Sequence, residues 1–301
     1  MAYKGRRVKK KALHKNPLFW AAVAAAVLIL VLVLWVVSAL SGLTGLDLHV
    51  RKPDPTTLPV SQERPTEPTE ETVPPPPANP YGPVDFDLNE ETGEITLSNG
   101  KYMKGIDVSS WQGKVDWKKV KDAGVEFVII RVGGRGTASG EMYDDEKCQE
   151  YYKGAKKAGL KIGAYVFAQS LTVEEAVEEA EFVLDKVKKW DIDMPLVYDW
   201  EYVDEDARTA GMDSETLTAM ATAFCETIED AGYQPMIYFG RSQSTDMLKL
   251  EELVDYPFWL AMYSTIMDYP YKVQMWQYTD QGKLPGISGN VDLNIWFTYD
   301  E

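Results

Sequence analysis

Phe127-Val128-Ile129-Ile130 is an unbroken apolar run between Glu126 and Arg131. A strand with one face in water alternates apolar with polar residues, whereas one apolar throughout is covered on both faces, the usual condition of a strand in a parallel sheet. Eight segments read as strands: Lys104–Val108, Val125–Val132, Lys161–Ala168, Pro195–Trp200, Gln234–Phe239, Phe258–Met262, Val273–Tyr278 and Val291–Phe297. Helical periodicity fills the early gaps, at Trp117–Ala123, Asp145–Ala158, Val173–Trp190 and Ser214–Ala231. Gly124, Gly159 and Gly232 follow three of these helices as stops. Thr172, with Glu175 three residues on, has the form of a capping box. Eight strands with intervening helices point to an α/β fold, a TIM-like barrel, irregular at its end because the later connections are short. A doubly wound open sheet is the alternative, and it predicts no partnership between the first strand and the last. Ahead of the barrel, Glu94–Leu97 and Lys101–Met103 around Ser98-Asn99-Gly100 read as a short hairpin.

The chain's charge is partitioned. Residues 1–52 carry nine Lys/Arg against Asp47 alone, and residues 53–301 carry 22 bases against 46 acids. A domain so acidic would be repelled by phosphates, which argues against a nucleic-acid partner. Both histidines, His14 and His49, precede the globular part. Ser-His-Asp and Cys-His catalysis and histidine-ligated zinc are therefore excluded there. Cys148 and Cys225, the two cysteines, cannot form a disulfide framework. They read as small apolar side chains within helices, with a single bridge as the alternative.

Seven bases in residues 1–16 precede an uncharged stretch from Pro17 to Leu46, whose segment Leu18–Val37 is almost wholly apolar. About 20 such residues span a bilayer as a helix, and positive charge before the span keeps the N-terminus cytoplasmic. The expected organisation is a basic tail (1–16), a transmembrane signal anchor (17–40), an extracellular linker (41–83) and a globular domain (84–301) on the outer side of the cell membrane. Cleavage after Ala39 is the competing reading, although the apolar run is longer than the ~7–15 residues of a signal peptide. Eleven of the 17 prolines fall in residues 53–83, a composition expected to remain disordered as an extended, semi-rigid stalk.

Asp199-Trp200-Glu201 closes the fourth candidate strand. Residues two apart share a face, so the two carboxylates lie side by side, and neighbouring carboxylates do not both ionise freely. One acid that keeps its proton beside one that stays charged is the pairing that glycoside hydrolysis uses. Asp107 ends the first strand and Asp292 begins the last. Barrel closure makes those strands neighbours, and barrel active sites lie at the C-terminal strand ends. Asp107, Asp199 and Glu201 fit that position directly, and Asp292 fits only if its strand starts earlier or the loop before it curls over the same face.

A resemblance becomes specific with Gly105-Ile106-Asp107-Val108-Ser109-Ser110-Trp111-Gln112-Gly113 followed by Val115-Asp116-Trp117. This segment resembles the opening of the family 25 glycoside hydrolases, lysozymes (N-acetylmuramidases) that cut peptidoglycan. Asp199-Trp200-Glu201, Trp259-Leu260-Ala261-Met262-Tyr263, Trp276-Gln277-Tyr278-Thr279 and Gly286–Asn294 follow in that family's order. The resemblance spans residues 103–298 and implies a (β/α)5(β)3 barrel. It implies Glu201 as proton donor and Asp199 as the group stabilising the cationic transition state through the substrate's N-acetyl group. Asp107 and Asp292 are implied as supporting acids. Tyr165, Tyr263, Trp276 and Gln277 are candidates for sugar contact, while Trp200 and Phe167 read as core. Val166 stands where many members carry His. The implied activity is retaining hydrolysis of the β-1,4 bond between N-acetylmuramic acid and N-acetylglucosamine in cell-wall remodelling, by a monomer without cofactor or metal. A catalytically silent peptidoglycan-binding module is the alternative, and a Mg²⁺ or Ca²⁺ site on the same acids is a third reading.

Overall fold

The computed structural model describes residues 74–299. The basic tail, the expected membrane span and residues 41–73 of the linker lie outside these residues. Among the described residues, no helix is long and apolar enough to cross a membrane.

The barrel is built from eight strands: β3 (Lys101–Val108), β4 (Phe127–Arg135), β6 (Lys161–Ala168), β7 (Leu196–Trp200), β8 (Pro235–Gly240), β9 (Phe258–Ala261), β10 (Met275–Gly282) and β11 (Val291–Thr298). Their lateral order is β3-β11-β10-β9-β8-β7-β6-β4, and a β3–β4 pairing closes the ring. All neighbours run parallel except β10–β11 and β11–β3, which are antiparallel. The first five barrel strands in chain order are each followed by a helix: α1 (Trp117–Asp122), α2 (Cys148–Ala158), α3 (Val173–Val187), α4 (Ser214–Asp230) and the short α5 (Arg241–Asp246). Three strands without helices complete a (β/α)5(β)3 arrangement. A short strand β5 (Met142–Asp144) extends the sheet at the end of β4.

Local chemistry explains the boundaries. Thr172 Oγ1 accepts from Glu175 N at 3.3 Å to start α3, and Asp213 Oδ1 accepts from Thr216 N at 2.9 Å to start α4, each satisfying an otherwise orphaned donor. The box at α3 is only half formed, because the Glu175 carboxylate is turned to Leu171 N and Arg208 instead. Gly159 ends α2 at φ 75°, in the left-handed region that costs glycine least.

Alternation along the strands separates two cores. Val128, Ile130 and Val132 face the helices in the large cluster, whereas Phe127 and Ile129 join Met194, Val197, Met236, Trp259 and Met275 in the barrel interior. Cys225 is buried in the helix layer, Cys148 is half-buried, and neither forms a disulfide.

Two expectations are corrected. The hairpin forms, but Glu94–Leu97 (β2) pairs with Phe86–Asn89 (β1), while Lys101–Met103 is the start of barrel strand β3 and pairs with β11. Residues 77–81 of the expected linker do not extend away from the domain. Lys272 N donates to Pro77 O at 2.7 Å, Asn79 N to Pro270 O at 2.9 Å, and Asn79 Nδ2 to Tyr269 O at 3.0 Å. Tyr81 stacks on Phe297 and Tyr299, with ring centroids 5.2 and 5.9 Å away. Backbone pairing, including an antiparallel bridge between Ala78 and Tyr271, and aromatic stacking hold this segment against the domain. Phe297 sits opposite Tyr102 at the start of β3, so this segment docks at the end of the barrel away from Asp107.

Interior packing depends on missing side chains as well as large ones. A Cβ on Gly105 would lie 2.0 Å from the Phe127 ring. Gly105→Ala is expected to cost about 1–3 kcal/mol through overpacking, measured as a lower urea midpoint with unchanged slope. An unchanged midpoint would show that Phe127 can move aside.

Candidate active site

One cleft at the C-terminal end of the barrel collects side chains from every barrel strand or from the loop just after it. Its lining includes Asp107 (β3), Arg131 (β4), Tyr165 (β6), Asp199 and Glu201 (β7 and just beyond), Tyr238 (β8), Tyr263, Gln277 (β10) and Asp292 (β11). Asp292 reaches this end because β11 runs antiparallel. Its first residues lie where the parallel strands end, and the ladder sets Asp292 directly opposite Asp107.

Two amides orient Asp107. Its Oδ1 accepts from Gln277 Nε2 at 2.9 Å and from Asn294 Nδ2 at 2.8 Å. Gln277 Oε1 accepts from the hydroxyls of Tyr238 (2.9 Å) and Tyr263 (3.1 Å), and Asn294 Oδ1 accepts from Trp259 Nε1 at 2.9 Å. Aromatic donors on each amide oxygen turn its nitrogen toward the carboxylate, so the direction of the network is set by donor and acceptor chemistry.

Burial governs the charges. Asp107 is pushed up to about 6, chiefly by burial and further by the Glu201 charge, with the Asn294 and Gln277 hydrogen bonds holding it back. Burial and the facing Asp107 raise Asp292 to about 8. Asp199 is held well above the usual carboxylate range by burial and by Glu201. Burial also raises Glu201, which its contact with Asp199 pulls back. Both carboxyls are thus biased toward their protonated forms, and the bias is stronger at Asp199, the more deeply buried of the two. Arg131, the cation among the lining residues, moderates Asp199. It is steered by buried Asp145, whose Oδ2 accepts from Arg131 Nε and from Ser110 N, both at 2.9 Å.

The expected site residues fall into two groups. Asp107, Asp199, Glu201, Asp292, Tyr165, Tyr263 and Gln277 come together in the cleft. Trp276 does not: it is fully buried on the other face of β10, and its Nε1 donates to Met262 O at 2.8 Å. Strict alternation that points Gln277 inward points Trp276 outward. Trp200 is core, but Phe167 is only half-buried, because its register partner is Asp199 and it shares that face. Val166 packs among the helix-facing core residues, so the position where the resemblance would place His is a packing position here.

Sequence reasoning missed Arg131, Asp145, Tyr238 and Asn294. Asn294 had a usable signal, being two residues from Asp292 and so on its face. Arg131 had one too, as a base closing an apolar run. Asp145 had none.

A family model described as glycosyl hydrolases family 25 matches residues 106–287, which includes Asp107, Asp199 and Glu201 and stops short of Asp292. The autolytic lysozyme of Clostridium acetobutylicum is 32% identical over 195 residues, covering 64% of this chain and 55% of its own length. Lysozyme M1 of Streptomyces globisporus is 25% identical over 246 residues, 73% of this chain and 80% of its own. The modular autolysin LytC from Streptococcus pneumoniae, solved in complex with a synthetic peptidoglycan ligand, matches with a TM-score of 0.60 at 27% identity, covering 70% of this chain and 50% of that one. The chain thus spans about half the length of the autolytic lysozyme and of LytC.

The raised carboxyls set the sign of a pH dependence. Asp107 and Asp292 hold protons in the fold, near 6 and 8, that an ordinary aspartate with a value of 3.8 has lost. Their contribution to stability is fully present below about pH 4 and is lost as pH rises through those folded-state values. The urea midpoint is expected to fall between about pH 5 and pH 8.5, and Asp292→Asn to flatten the upper half of that fall. A midpoint that rises across this range would contradict the assignment.

Proposed function

The chain belongs to glycosyl hydrolases family 25, and from that premise we propose that it is a muramidase cutting the β-1,4 bond between N-acetylmuramic acid and N-acetylglucosamine in peptidoglycan. The observation that carries the reading is at Asp199. Its Oδ1 is buried in the cleft without a hydrogen-bond partner, and a buried acceptor left unpaired is costly unless something arrives to satisfy it. The N–H of a substrate acetamido group is a donor suited to that oxygen.

The same contact sets the protonation needed for catalysis. An N–H donated to Asp199 favours its ionised form, and the proton of the pair moves to Glu201, the member that opens to the cleft. Glu201 then donates that proton to the glycosidic oxygen as the C1–O bond breaks. The acetamido oxygen closes on C1, and Asp199 stabilises the positive charge that develops on the acetamido group. Glu201, now ionised, takes a proton from water as the water oxygen attacks C1 and releases the acetamido oxygen. Two displacements at C1 give net retention without a glycosyl-enzyme ester, one of the exceptions to the two-carboxylate scheme. Asp107 and Asp292 keep the opposite wall acidic. Trp111, 85% exposed on the cleft rim, offers an indole face to the apolar face of a pyranose.

Residues 1–52 support a tethered form of the enzyme. Bases ahead of an apolar stretch long enough to span a bilayer would hold the catalytic domain outside the cell membrane, within reach of the wall it remodels. Carbonate-washed membranes from expressing cells should retain the full-length chain, and recovery in the soluble fraction would remove the tether.

Digestion of purified peptidoglycan by the full-length chain should release muropeptides with N-acetylmuramic acid at the reducing end, identified by mass spectrometry after borohydride reduction. Glu201→Gln should lower the rate by at least about 10²-fold with the fold intact. N-acetylglucosamine at the reducing end, or wild-type release by the variant, would reject the assignment.

A further inference from the structure

Glu201 has an unusual mechanical problem. β7 ends at Trp200, which pairs with Ala168, and on the other side the ladder stops at Asp199 opposite Tyr238. The sheet therefore fixes Asp199 but not the main chain of Glu201, and the four residues after it are exposed and outside any helix or strand. A proton donor must nevertheless be held to within about 0.5 Å of its productive place.

We propose that Gln169 is the positioning residue for Glu201; this rests on the reading of Glu201 as proton donor. Gln169 directly follows β6 and is fully buried. Its Nε2 donates to Glu201 O at 2.9 Å and to Ala168 O at 2.8 Å. Its Oε1 accepts from Thr209 Oγ1 at 3.0 Å, which fixes which end of the amide faces Glu201. Its backbone N donates to Glu179 Oε1 at 3.0 Å, and its backbone O accepts from Arg208 Nη1 at 3.1 Å. Every polar group of one residue is thus committed, and the partners lie on β6, on the loop after β7 and on α3.

Behind Gln169 stands a charge cluster that makes this anchor stiff. Glu179, also fully buried, accepts from Arg135 Nε at 2.8 Å through the same Oε1 that Gln169 uses. Arg135 donates further to Gly140 O at 2.9 Å and to Glu175 O at 3.0 Å. Arg208 grips Glu175 with two nitrogens, at 2.7 and 3.0 Å, while its own N donates to Thr137 O at 2.8 Å. Bidentate, partly buried pairs of this kind hold geometry as well as charge. The loops after β4, β6 and β7 are tied to one another through them. On the far side, Gln243 Nε2 donates to Trp200 O at 3.0 Å, and its Oε1 accepts from Gly240 N at 2.6 Å. Two side-chain amides thus hold consecutive carbonyls where the sheet no longer does.

The experiment uses the full-length chain with Gln169→Leu, which keeps the bulk and removes the donors, and with Thr209→Val, which removes only the hydroxyl that orients the amide. kcat and KM on peptidoglycan are read together with amide hydrogen exchange over residues 202–209. Gln169→Leu should lower kcat by about 10- to 10²-fold, the cost of an ångström-scale misplacement, with KM within about twofold. It should speed exchange at 202–209 while leaving β3 and β11 unchanged, and Thr209→Val should act in the same direction by less. An unchanged kcat, unchanged exchange at 202–209, or exchange faster in every segment alike would overturn the proposal. Should Gln169→Leu not fold, Thr209→Val decides by the same readouts. A wild-type chain without turnover would instead reject the muramidase reading, and the exchange data would still decide whether Gln169 holds the Glu201 segment.

Discussion

The antiparallel seam between β11 and β3 is the contact on which the rest of the structure depends. It joins the first and last strands of a ring whose other pairings, apart from β10–β11, are parallel, and by reversing the last strand it sets Asp292 opposite Asp107. Had β11 run parallel, Asp292 would lie at the far end of the barrel and the cleft would lose one of its four acids. Like charges directly opposite on a sheet are destabilising. The seam is tolerated because burial keeps both carboxyls above their ordinary range, with Glu201 adding to the shift of Asp107 and Asp107 to that of Asp292, and because two amides supply donors to Asp107. Closure and electrostatics are therefore one arrangement.

Across the cleft the problem is different. Asp199 is held by strand hydrogen bonds on a buried ladder, so its position follows from the sheet. Glu201 lies past the strand and follows from side chains. One carboxyl fixed and buried, its neighbour open to the cleft and held by replaceable amides, is a physical basis for two roles in one Asp-x-Glu pair. In the proposed mechanism a substrate donor at the deeper group passes the proton to the outer one, which opens to the cleft and would deliver it.

Much of this was legible in the sequence because burial on both faces writes long apolar runs. All eight barrel strands and the first four helices fall where those runs and the glycine stops place them, with boundaries displaced by a few residues. Strand direction leaves no such mark, so the reversal of β11 could not be read and Asp292 fitted the mouth only conditionally. Trp276 was misplaced because the motif Trp276-Gln277 was read as a unit, although neighbours on a strand face opposite ways. The hairpin was assigned the wrong partner because the Ser98-Asn99-Gly100 turn signal is stronger than that of Glu90–Gly93, where the chain reverses. Gln169, Asp145 and Glu179 are invisible in sequence for a common reason. Each matters through partners distant in the sequence; Gln169 and Asp145, near strand ends, look like caps or solvated turns, and Glu179 looks like one more glutamate of the acidic helix α3.

Carbon-13 titration of the side-chain carboxyls in the full-length chain tests the central claim most directly, that Asp199 and Glu201 titrate as a coupled pair raised above the ordinary carboxylate range. Asp199 should titrate well above an ordinary aspartate, and Asp199→Asn should shift the titration of Glu201. Both carboxyls ionising below about pH 5, independently of one another, would contradict the account.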